Sequence, residues 1–88
     1  MSQETTELLA ARGSVYGPFI DNAACSQELK SVIHAHRKQR PLAPDIQEAL
    51  EMIAFKISRI LTGNPAYVDN WRDIAGYATL VANRLEKS

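Results

Sequence analysis

The chain has 88 residues, ten lysines and arginines against ten aspartates and glutamates, and a hydrophobic fraction of 45%. That length holds one domain, expected to span 1–88, and a domain that buries only about two-thirds of its unfolded surface is modestly stable, so self-association is a common remedy. Zero net charge argues against a protein that wraps nucleic acid by long-range attraction, and a single cysteine, Cys25, excludes an internal disulfide or a cysteine-rich zinc module.

The N-terminus is polar and acidic, without the apolar stretch of a signal peptide, and no run approaches the ~20 apolar residues of a membrane span. A soluble cytoplasmic protein with no membrane partner is the expectation. Residues 2–11 read as a short leading helix, closed at Arg12-Gly13-Ser14 because glycine takes the left-handed conformation that ends helices. Val15-Tyr16-Gly17-Pro18-Phe19 is a loop anchored by two aromatics, so 1–17 is expected to form a short helix and loop.

A longer helix starts at Asp21 or Asn22 and runs to about Gln39, with Ala24, Leu29, Val32 and Ile33 as its apolar side. His34, His36, Arg37, Lys38 and Arg40 crowd its end, where positive charge offsets the negative pole of the helix dipole. His34 and His36 point about 160° apart and do not chelate one metal. Pro41 and Pro44 bracket the next connection.

Residues 44–87 read as an antiparallel helical hairpin around Gly63-Asn64-Pro65. In the first arm Ile46, Leu50, Ile53, Ala54, Ile57, Ile60 and Leu61 fall within one arc of about 120°, a core-facing stripe. Met52 and Phe55 point outward, which suggests a second buried surface, against the preceding helix or against another copy of the chain in a homo-oligomer. In the second arm, from Val68 to Leu85, Trp71, Ile74, Ala75, Ala78, Val81, Ala82 and Leu85 share an arc. Gly76 sits mid-helix at a cost of ~1 kcal/mol, as though another backbone or a ligand came close.

In such a hairpin, residues at one height have numbers adding to about 129. Arg59 is then level with Asp69, Lys56 with Asp73, and Met52 with Tyr77. The pairs read as a ladder of interhelical salt bridges, or as the rim of an anion site. In the second case Lys56 and Arg59 hold phosphate oxygens, Asp69 and Asp73 orient them, and Tyr77 or Tyr16 stacks on a ring. Glu48 and Glu51, one turn apart, could instead hold Mg2+ with Asp73. That spacing resembles the all-α nucleoside triphosphate pyrophosphohydrolases of the MazG type, although Asn70 replaces the second expected glutamate. Glu51 also lies about 7.5 Å along the axis from the level of Asp73.

Tyr16-Gly17, then Lys56 and Arg59, then Asp69, Asp73, Gly76, Tyr77 and Ala78 together resemble a family of small phage and prophage proteins. The resemblance covers about residues 12–85. It implies a viral or prophage origin, a host-cell cytoplasmic location and distant kinship with phage nucleotide-metabolism proteins, and it supplies no activity to carry over. The combined expectation is an all-α protein, a small bundle of three main helices plus a short N-terminal one. It acts as a non-catalytic accessory protein that binds a host protein or a small phosphorylated ligand such as a nucleotide, without cofactor or metal. The alternative is a Mg2+-dependent pyrophosphohydrolase with Glu48, Glu51 and Asp73 as catalytic residues.

Overall fold

The computed structural model describes residues 17–87. Three helices of 19 residues each make up this part of the chain: α1 (Phe19–Arg37), α2 (Pro44–Thr62) and α3 (Val68–Glu86). No strand occurs among the described residues. The expected leading helix and Tyr16 lie outside them.

Local chemistry accounts for each boundary. Pro18 precedes the first turn of α1, and its carbonyl accepts the Asn22 amide at 3.0 Å, so the helix opens two residues earlier than Asp21. Pro44 opens α2 as the sequence suggests, with Asp45 in the positively polarised first turn. The Gly63 amide returns to the Arg59 carbonyl at 3.0 Å and ends α2. The Asn64 side chain then accepts the Ala66 amide at 2.9 Å, folding the reverse turn. The Trp71 indole donates to the Pro65 carbonyl at 2.8 Å and fastens the start of α3 to that turn.

Both neighbours run antiparallel to α2. On one flank Asn22 faces Ser58 and His34 faces Glu51, and on the other Lys56 meets Asp73 and Asp45 meets Arg84. Among the described residues α1 and α3 do not touch. The helices therefore form an open layer with α2 in the middle, where periodicity alone suggested a closed bundle.

Burial follows from that layout. Among the described residues the only buried apolar side chains are Ala49 and Ala54, and the other buried ones are Asn22, Ser26, Ser58 and Asn70. Ala49 and Ala54 lie about 140° apart around α2. Ala49 shares a groove with Tyr77, Leu80 and Val81 of α3. Ser58, one turn beyond Ala54, faces α1. The neighbouring helices thus cover the edges of the isoleucine stripe and leave its middle open. Leu50 and Leu61 are exposed, and Ile46, Ile53, Ile57 and Ile60 are only half-buried. The expected apolar side of α1 is likewise not its buried side, since Val32 is 59% exposed. Small polar residues, Asn22 and Ser26 against Ser58, line the α1–α2 seam and let the two backbones approach.

Candidate functional site

On the face of α2 opposite the isoleucine stripe, Phe55 forms the floor of a charged cluster. The Arg59 guanidinium carbon lies 4.3 Å from its ring centroid, the Lys30 Nζ 5.6 Å and the Lys56 Nζ 6.0 Å. A ring face attracts each cation by about 0.5–1 kcal/mol at such partly exposed sites. Three cations from two helices thereby converge on one ring. The Lys56 side chain is only 12% exposed, and its Nζ lies 2.9 Å from Asp73 Oδ2, whose side chain is 47% exposed. Lys56 and Asp73 sit at one height, as the hairpin register requires. The pair holds the lysine stem against α3 and leaves one side of Asp73 in solvent.

Lys30 could not be read as a member of this cluster from sequence. Its place depends on how α1 lies along α2, and no turn short enough to set that register joins the two residues. The sequence signal for Phe55 was its outward position, which suggested an oligomer contact with Met52. In the structure Phe55 and Met52 are half-buried, and charge rather than apolar surface surrounds the ring. Arg59 and Asp69 are level by count. Asp69 is exposed in the first turn of α3, and Arg59 stacks on Phe55.

The other carboxylates are engaged elsewhere. Glu51 Oε1 lies 3.3 Å from Nε2 of His34 on α1, and His34 Nδ1 accepts the Arg37 Nε–H at 3.0 Å. One neutral tautomer, protonated on Nε2, satisfies both contacts. Glu48 is exposed and borders a groove with Asp45, Tyr77 and Arg84. Glu51 is thus directed to the α1 flank of α2 and Asp73 to the α3 flank. Among the described residues no group of three or more His, Cys, Asp or Glu side chains is placed to hold a metal ion.

Arg84 grips Asp45 with two hydrogen bonds, Nε to Oδ2 at 2.7 Å and Nη2 to Oδ1 at 2.6 Å. This guanidinium holds the Asp45 carboxyl below its ordinary 3.8, and Asp45 in turn raises Arg84. The height rule that aligns Lys56 with Asp73 also aligns this pair, which sequence reading passed over. Asn70 is 1% exposed, and its Nδ2 has no hydrogen-bond partner among the described residues. It precedes Asp73 by one turn, where the pyrophosphohydrolase pattern has glutamate.

Beyond Asp73, an open groove of about 560 Å3 runs past Arg72, Gly76, Tyr77 and Leu80. Among the described residues a Cβ on Gly76 would meet nothing within 4 Å, so none of them requires glycine there. Tyr77 is half-buried and borders both this groove and the one beside Asp45.

The family described as Domain of unknown function (DUF6378) matches residues 3–85. No curated protein and no solved structure matches the chain. Among the described residues no helix is long and apolar enough to cross a membrane.

Proposed function

Since this chain belongs to the DUF6378 family, which brings no activity with it, we propose from its own geometry that it binds a small phosphorylated ligand. It acts without catalysis, as a cytoplasmic accessory protein of the phage and prophage kind its sequence resembles. The carrying observation is the convergence of Lys30, Lys56 and Arg59 on Phe55 with Asp73 as the ion-pair partner of one of them. Lysine ammonium groups and arginine's planar fork both suit phosphate oxygens. The unpartnered Nδ2 of buried Asn70, one turn from Asp73, adds a donor of the right polarity on the neighbouring helix. Asp73 and Asp69 orient the cations, and Tyr77 borders the groove next to Asp73, where a base could stack.

Titration calorimetry with pyrophosphate and with ADP, in low-salt and metal-free buffer, tests this reading. Saturable binding is expected, tighter for ADP if Tyr77 takes the base. Loss of one charge-assisted contact, worth about 1.5–3 kcal/mol, should weaken binding about tenfold or more in Lys30→Ala and in Lys56→Ala. Absence of binding heat, or binding indifferent to Lys30, would refute the proposal. Pyrophosphate released from nucleoside triphosphates with Mg2+, and lost in Glu51→Ala, would move the assignment to the hydrolase alternative.

A further inference from the structure

Independently of any ligand, we infer that the open apolar face of α2 and α3 is covered by a second copy of this chain, which completes a core that one copy leaves unfinished. The first ground is the interior itself. Among the described residues the buried apolar side chains are two alanines. A folded chain must offset roughly 1–2 kcal/mol of backbone entropy per residue, mainly through apolar burial.

The second ground is the size and chemistry of the face. Ile46, Leu50 and Ile53 of α2 line one groove with Ala78, Ala82 and Leu85 of α3, about 300 Å3 in volume and without a charged residue in its lining. By helical register the face continues through Ile57 and Leu61 towards Trp71. Leu61 is 67% exposed, Trp71 53%, Leu85 50% and Leu50 39%. With the half-buried isoleucines and the exposed alanines, the patch amounts to several hundred Å2, the size at which exposed apolar surface marks an interaction site. The largest patch on a typical monomer is about 300–600 Å2, and a standard interface takes about 800 Å2 from each partner.

The third ground selects the occupant. A ridge of large residues, Ile46, Leu50 and Ile53, lies beside a furrow of small ones, Ala78 and Ala82. A two-fold axis across the face sets the ridge of each copy into the furrow of the other, the self-complementarity of an isologous contact. The face offers no charge to select a different partner. It also lies opposite the Phe55 cluster, so association leaves the cations accessible.

Sedimentation equilibrium and light scattering of the full chain test this over a hundredfold concentration range. The expected mass is about twice the 9.8 kDa of one chain, and the melting midpoint should rise with concentration. Ala82 is exposed in a single copy and lines this groove, so Ala82→Arg places a charge in the proposed interface. It should weaken association at least tenfold. Leu80, 67% exposed and bordering the Gly76 groove, is the control, and Leu80→Arg should leave association unchanged. A single-chain mass throughout with a concentration-independent midpoint would overturn the inference. So would association unaffected by Ala82→Arg, or equally weakened by Leu80→Arg. Should Ala82→Arg not fold, the wild-type mass and the slope of its midpoint decide alone.

Discussion

Replacing Gly17 with alanine isolates one contact on which the placement of α1 against α2 depends. Gly17 has φ +82°, where an L-residue costs about 1–2 kcal/mol. A Cβ built there would overlap the Thr62 carbonyl oxygen, with the Thr62 carbonyl carbon at 2.7 Å and the Gly63 nitrogen at 3.3 Å. These atoms belong to the last turn of α2, and the Gly63 amide is tied to Arg59, so they do not swing aside as a side chain would. Relief requires moving backbone by about 1 Å, and overpacking of that kind costs about 1–3 kcal/mol. The two contributions together predict a loss of about 2–5 kcal/mol. Urea unfolding followed by circular dichroism, at one fixed protein concentration, reads it directly. With an m-value of about 1 kcal/mol/M the midpoint should fall by roughly 2 M or more, without a change of slope. Gly17→Asn separates the parts, because asparagine tolerates the left-handed region better but still carries the Cβ. A Gly17→Ala protein within 0.5 kcal/mol of wild type would refute both the backbone conformation and the close approach.

The other glycine of interest should respond in the opposite sense. Gly76→Ala meets no atom within 4 Å, so it should gain about 1 kcal/mol of helix stability, and a loss in the same urea assay would show that something packs there. Ser58 is fully buried against α1; Ser58→Leu should cost about 1–3 kcal/mol by wedging the seam apart, and Ser58→Ala about 1 kcal/mol. Because Arg84 lowers the folded-state value of Asp45, their pairing contributes above the ordinary 3.8 and is lost as pH falls through the lowered value. Asp45→Asn should therefore melt below wild type at pH 7, and the gap should close as the pH falls through the lowered value of Asp45; a gap that does not narrow in acid would refute the assignment.

Elements with a local cause could be read from the residues. Pro44 and Gly63-Asn64-Pro65 mark the ends of α2 by their own backbone preferences, and a short turn joins α2 to α3. That turn sets the hairpin register, which is why the level of Lys56 with Asp73 followed from counting, and why Asp45 with Arg84 could have. The pairing of Lys56 with Asp73 across the hairpin was legible for the same reason. Lys30 was not, and Phe55 was assigned to an apolar contact, because both depend on the lie of α1.

The sequence by itself determined three helices, their turns and the presence of an apolar stripe, since each follows from interactions between residues a few positions apart. The tertiary structure decided that α1 and α3 take the two edges of that stripe, so that the polar side of α2 gathers three cations and the isoleucines stay open. Periodicity states which surface must leave water. Which neighbour covers it depends on long-range packing of small residues such as Asn22, Ser26 and Ser58, and no local pattern encodes that choice.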